Sequence, residues 1–174
     1  MKRLVLTLLL AQASISIAQE IDVKASSIEF TVTNLGIDVD GKFRTFSGTV
    51  VFDPERPEDS DFDISIPIKS VTTNNKMRDE HLQEEEFFDA ENHPNITFKS
   101  TNTHKEGNGF VVTGMLTIKG NSRSVSLPFS YENSVLQGTL SINRNDYHVG
   151  GTGFLDTIGD DVEIAIKCVL KDED

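Results

Sequence analysis

Asp61-Phe62-Asp63-Ile64-Ser65-Ile66-Pro67-Ile68 decides the fold. Apolar side chains at 62, 64, 66 and 68 alternate with Asp61, Asp63, Ser65, Pro67 and Lys69. A period of two sends neighbouring side chains to opposite faces of an extended chain, so this run is a strand with one apolar and one polar face. The pattern recurs on both sides. It appears in Ile28, Phe30 and Val32, and in Phe46, Gly48, Val50 and Phe52. Further along it appears in Phe110, Val112, Gly114, Leu116 and Ile118, in Val125, Leu127, Phe129 and Tyr131, in Leu136, Leu140 and Ile142, and in Val162 through Leu170. Turn signals separate the runs, among them Asp40-Gly41, Asp53-Pro54, Gly107-Asn108-Gly109, Lys119-Gly120-Asn121 and Glu132-Asn133. About eight short strands with short connections predict an all-β antiparallel barrel or sandwich. A parity change after Val32 predicts a bulge near Asn34. Gly48 and Gly114 inside strands fit the tight bends of a curved sheet.

The chain has 174 residues, 16 Lys+Arg against 28 Asp+Glu, and a formal net charge of −12. The length suits one domain with a real core. So acidic a chain is a poor partner for nucleic acid, whose phosphates are bound by clustered Lys and Arg. It is equally ill suited to anionic lipid surfaces, which polybasic segments recognise.

The first residues read differently. Lys2 and Arg3 precede an apolar run over residues 4–10, and Ser16 and Ala18 stand at the −3 and −1 positions of a cleavage site before Gln19. That order is a secretory signal peptide, residues 1–18, followed by one domain over residues 19–174. The expected location is the periplasm or the exterior, with no integral membrane span after cleavage. Removing Lys2 and Arg3 and no acid takes the net charge from −12 to −14. The single Cys168 cannot form an intrachain disulfide. It shares the face of Val162, Ile164 and Ile166, as a buried small apolar residue does.

One stretch breaks the period of two. Residues 74–93 are rich in charge, and part of them, 78–86, fits a short helix with Met77, Leu82, Phe87 and Phe88 as apolar contacts. Such a segment would lie over one mouth of a barrel, either as a structural plug or as a ligand gate.

Known catalytic and metal patterns fail. His81, His93, His104 and His148 lack metal-ligand spacing. Asp59-Ser60-Asp61-Phe62-Asp63 starts like a calcium loop but has Ile64 where glycine is required. There is no Gly-x-Ser-x-Gly elbow and no phosphate loop. No catalytic residue, metal or cofactor is expected.

Several motifs, in order, resemble one family. They are Gly41-Lys42-Phe43 with Phe46-Ser47-Gly48-Thr49-Val50, then Ser70-Val71-Thr72-Thr73, Arg78-Asp79-Glu80-His81-Leu82 and Phe87-Phe88-Asp89. His93-Pro94-Asn95-Ile96-Thr97-Phe98, Gly114-Met115-Leu116-Thr117-Ile118-Lys119-Gly120 and Asn143-Arg144-Asn145-Asp146-Tyr147 follow. The chain is similar to the YceI-like family of periplasmic polyisoprenoid-binding proteins. The resemblance implies an extended eight-stranded antiparallel lipocalin-like barrel whose apolar cavity holds a long-chain amphiphile, an isoprenoid or a fatty-acid-like lipid. The inward candidates from alternation are Phe30, Val32, Phe46, Phe52, Ile64, Ile66, Phe98, Leu116, Phe129, Leu140 and Ile142, with Phe87 and Phe88 from the covering segment. They offer apolar contact and almost no hydrogen bonds, which suits a hydrocarbon chain better than a sugar. Arg78, Asp79, His81 and Arg144 are the mouth or head-group candidates, although for the two arginines the favoured reading is structural, Arg78 pairing with Asp79 or another nearby carboxylate and Arg144 with Asp146. A homodimer is admitted as a further partner. Two other readings stay open: a secreted enzyme acting on a lipid-like substrate through His81 and Asp79, and a structural domain with a filled core.

Overall fold

The computed structural model describes residues 18–151 and 157–171. The expected signal segment therefore lies outside the described residues, apart from Ala18. The strands are β1 (Ser27–Asn34), β2 (Ile37–Phe43), β3 (Ser47–Val51), β4 (Asp61–Pro67), β5 (Val71–Thr72), β6 (Asn95–Glu106), β7 (Gly109–Ile118), β8 (Asn121–Glu132), β9 (Val135–Asn143) and β10 (Ile158–Val169), with one helix, α1 (Lys76–His81). Neighbours in the sheet follow the order β3-β4-β6-β7-β8-β9-β10-β1-β2-β5, and every pairing is antiparallel.

Ten strands stand where about eight were expected, for a simple reason. β2 and β3 are the halves of one bent strand, and β5 has only two residues. The first half pairs with β1 and the second with β4, so the strand changes partner at the corner. Gly48 serves this corner. Its φ is +149°, and a Cβ there would run into the backbone of Asp63 on β4. The same bend brings the two ends of the sheet together and curls it into a barrel. The segment before β1 helps seal the seam: Gln19 bridges to Val50 of β3, and Ile21 bridges to Leu170 just beyond β10. The bulge expected near Asn34 is present as a register shift between Val32 and Asn34 against β10.

Alternation fixes what faces inward. In β7, Phe110, Val112, Leu116 and Ile118 are buried. In β1, β4, β6, β8 and β10 many inward residues are only half-buried, Phe30, Ile64, Phe98, Val125, Leu127 and Ile164 among them, although each packs against the core. Half-buried apolar side chains on the inner face of a barrel mark a hollow rather than a filled centre. The aromatic residues close one end. Phe52 meets Phe62, Phe110, Phe129 and Tyr131 at ring-centroid distances of 6.2, 5.1, 5.4 and 5.0 Å, mostly edge to face. That geometry is the favoured one for rings with a negative face and a positive edge.

At the other end, α1 starts and stops differently from the expected 78–86 helix. Asn75 caps it by accepting the Arg78 N–H at 3.2 Å. The helix ends at His81 because Glu84, Glu85 and Glu86 would place three negative charges at its negative C-terminal pole. The chain folds instead into turns that bring Phe88 N–H back to the Leu82 carbonyl at 3.1 Å and Ala90 N–H to that of Gln83 at 2.9 Å.

Candidate lipid cavity

The barrel encloses a cavity of about 710 Å³. Of the candidates read from alternation, Phe30, Val32, Phe46, Ile64, Ile66, Phe98, Leu116, Phe129, Leu140 and Ile142 line it, and so do Phe87 and Phe88 from the covering segment. Phe52 is the correction. It does not line the cavity, because its ring is engaged by four other rings in the aromatic floor. Parity placed it on the inner face correctly, but depth along the barrel is not encoded in parity.

The covering segment is fastened at several points. Gly150 N–H donates to the Glu86 carbonyl at 2.9 Å, and Lys119 Nζ donates to the carbonyls of Glu86 and His148 at 3.3 and 2.9 Å. Phe88 stacks edge to face on Phe43 at 6.4 Å. Among the mouth candidates, Arg78, His81 and Arg144 border the cavity and Asp79 does not. Asp79 is turned toward the strand before it. Its Oδ1 accepts the Thr73 N–H and hydroxyl, each at 2.6 Å, and its Oδ2 accepts the Thr72 hydroxyl at 2.9 Å. Burial pushes this carboxyl up, but those hydrogen bonds and the nearby Arg44 charge outweigh it and hold the pKa below its ordinary 3.8.

Arg78 does not pair with Asp79. Its Nε donates to the Thr73 hydroxyl at 2.7 Å and its Nη2 to the Thr73 carbonyl at 3.1 Å. His81 packs edge on to Phe87 at 4.8 Å, with Nε2 3.5 Å from Glu86. His81 and Asp79 thus engage different partners and form no acid–base pair.

Arg144 is a clasp rather than a free cation. It is 6% exposed, and its Nε, Nη1 and Nη2 donate to the carbonyls of Gly159, Val149, Gly151 and Ile158 at 2.9–3.0 Å. Among the described residues its carboxylate neighbour is Asp160 at 3.6 Å rather than Asp146. A guanidinium presents five N–H groups in a fixed fork, which suits it to gathering carbonyls from two segments.

Further lining residues were legible but not singled out. Val162, Ile164 and Ile166 share the inward face of β10, and Val125 and Leu127 that of β8. Cys168 also lines the cavity, and burial pushes its thiol up to about 11. Tyr147 belongs to the motif Asn143–Tyr147, but no alternation marks it as a lining residue. It comes from the 3-10 turn Arg144–Tyr147, is 1% exposed, and lines the cavity from outside any strand period. Among the described residues no group of three or more His, Cys, Asp or Glu is placed to hold a metal, and no helix is long and apolar enough to cross a membrane.

Comparison with known proteins agrees with this architecture. The chain is 33% identical over 150 residues to UPF0312 protein ECA1782 of Pectobacterium atrosepticum, which covers 80% of this chain and 77% of that one. The crystal structure of BcnA from Burkholderia cenocepacia superposes with a TM-score of 0.79 at 28% identity, covering 86% of this chain and 98% of that one. A polyisoprenoid binding domain from Saccharophagus degradans has the same fold, with a TM-score of 0.68 at 15% identity, covering 90% of this chain and 99% of that one. The YceI-like domain is matched over residues 19–170, and the chain belongs to that family.

Proposed function

We propose that this protein is an exported carrier that sequesters a long-chain amphiphile, isoprenoid or fatty-acid-like, in the barrel cavity, with the tail inside and the polar end at Arg78 and His81. The observation that carries this reading is the cavity itself: about 710 Å³, walled almost wholly by apolar side chains. At roughly 30 Å³ per water-sized group, it has room for roughly two dozen such groups, the size of a single C20 chain. Burying twenty methylenes at about 0.8 kcal/mol each gives a gross driving force of about 16 kcal/mol. Ordering and desolvation take a large share of that. What is left suffices for tight binding with little help from a head group. The relatives support a container of this shape. The Saccharophagus domain, at 15% identity, supports the fold and not the ligand.

Export to the periplasm or exterior rests on the segment over residues 1–18, and the matched domain beginning at residue 19 is in keeping with it. Binding rather than catalysis fits a site in which Asp79 turns to Thr72 and Thr73 and His81 packs on Phe87, so that the two form no acid–base pair.

Native mass spectrometry of the protein purified from its own host tests the proposal, followed by identification of the extracted lipid. A stoichiometric long-chain species is expected. Repeated recovery of protein without lipid, and no uptake of cis-parinaric acid by that protein, would sink it.

A further inference from the structure

Three of the four most exposed large apolar side chains among the described residues neighbour, in the chain or across the hairpin, residues that line the cavity. Leu35 is 75% exposed, Ile37 70% and Met77 80%. Leu35 follows Asn34 and Ile37 pairs with it across the hairpin, while Met77 precedes Arg78. Asn34 and Arg78 both line the cavity. The fourth, Met115, lies on β7 and is 39% exposed.

Leu35 is doubly costly where it stands. The β1–β2 hairpin has a two-residue loop, Leu35-Gly36, with φ of +52° and +76°. Positive φ at both loop positions is the type I′ turn, whose first position favours Asn or Asp, because a bulky side chain is strained there. A leucine here bears backbone strain and also exposes its side chain to water. The side chain, 75% exposed, gives most of its surface to water rather than to the barrel. An outlier of this kind at the rim of a binding cavity argues for a role outside the fold.

We infer that Leu35, Ile37 and Met77 form an apolar collar that dips into an uncharged lipid surface, so that the mouth receives its cargo directly from a bilayer. The inference rests on the proposed lipid-carrier reading. The occupant is chosen by area and by charge. Three side chains offer at most roughly 400 Å², half of the roughly 800 Å² that each partner of a stable protein interface buries. A second copy of this chain is therefore a poor fit, whereas protruding tips are enough to enter a bilayer surface. Asp38 and Asp40 on β2, and Glu84, Glu85 and Glu86 in the covering segment, are exposed close by. They repel anionic lipid and leave a neutral or zwitterionic surface as the match.

The test compares the wild type with a variant carrying Leu35→Asn, Ile37→Thr and Met77→Gln, and with Leu35→Asn alone. The single change supplies the residue the turn prefers, so it folds at least as well as the wild type. The first readout is co-flotation with phosphatidylcholine vesicles, which does not depend on the cavity. The second is transfer of a fluorescent single-chain lipid from those vesicles, set against uptake of cis-parinaric acid dispersed in buffer. The wild type should float, with little effect of salt. The triple variant should stay in solution and extract lipid about tenfold more slowly or worse, with unchanged uptake of the dispersed probe. Wild-type protein that does not float, or a variant that extracts lipid as fast, overturns the collar. A wild-type dimer that the triple change turns into monomers also overturns it, in favour of a self-interface. Loss of dispersed-probe uptake in the wild type speaks instead against the carrier reading, and flotation still decides the collar.

Discussion

The Phe30 ring occupies the space that a side chain at Gly41 would need: a Cβ at Gly41 would overlap the far edge of that ring. The two residues are register partners across β1 and β2, and Phe30 also lies 5.8 Å from Phe43 and lines the cavity. A glycine on one strand therefore sets how far an aromatic ring on the next intrudes on the ligand space. The overlapping atoms belong to the movable end of a side chain, so a methyl group at position 41 can push the ring inward without breaking the ladder.

Gly41→Ala should shorten the usable cavity. Long chains lose about two buried methylenes, about 1.6 kcal/mol or roughly fifteen-fold in affinity, whereas chains that end short of Phe30 lose little. Titration with a series of single-chain amphiphiles of increasing length measures this. An equal loss at every length would instead mean a general disturbance of the barrel.

Arg144 should prove a structural residue. Arg144→Met strands four carbonyls that now share one guanidinium and should cost about 3 kcal/mol in urea unfolding. Arg144→Lys should recover little of that, because a single ammonium cannot reach carbonyls on both sides of the 149–159 connection. Unchanged stability with weakened ligand binding in Arg144→Met would restore the head-group role considered from sequence.

The barrel was legible in the sequence because alternation is a local signal and each strand carries its own. The run around Ile64 states its inner face without help from any other strand. The site was legible to the same depth: inward parity identified the walls, Phe30 and Leu116 alike. What parity lacks is height along the barrel and partnership at a distance. Phe52 has the parity of a lining residue and sits in the floor. Asp79 and Arg78 are neighbours in the chain, yet they do not pair with each other, because Thr73 engages both, giving its N–H and hydroxyl to Asp79 and accepting from Arg78. Tyr147 and the Arg144 clasp arise from a turn whose geometry depends on segments brought together only by the fold.

Asp79 should give the fold part of its acid sensitivity. Its folded pKa lies below the ordinary 3.8, so its contribution is complete above that value and is lost as pH falls through the folded pKa. Asp79→Asn removes the charged acceptor of three hydrogen bonds and should cost about 2 kcal/mol at pH 7. The gap between wild type and variant should narrow as the urea midpoint is followed from pH 6 to pH 3. A gap that stays constant would mean the carboxylate charge contributes nothing.

Cys168 should report cavity occupancy. It is the chain's one cysteine, it lines the cavity, and burial raises its pKa from 9.0 to about 11. At pH 8 roughly one thiol in a thousand is then ionised, against about a tenth for a thiol at 9.0. Since only the thiolate reacts, labelling by a disulfide reagent should be about two orders of magnitude slower than in urea-unfolded protein. The stability sign follows from the same shift: the contribution is complete below pH 9, where the unfolded thiol is also neutral, and is lost as pH rises toward about 11. A bound chain covers the thiol as well, so saturating cis-parinaric acid should slow labelling further and leave the unfolded rate unchanged. Labelling as fast in the native protein as in urea would mean that the thiol is open to solvent. Labelling indifferent to the probe would mean that the chain does not reach the β10 wall.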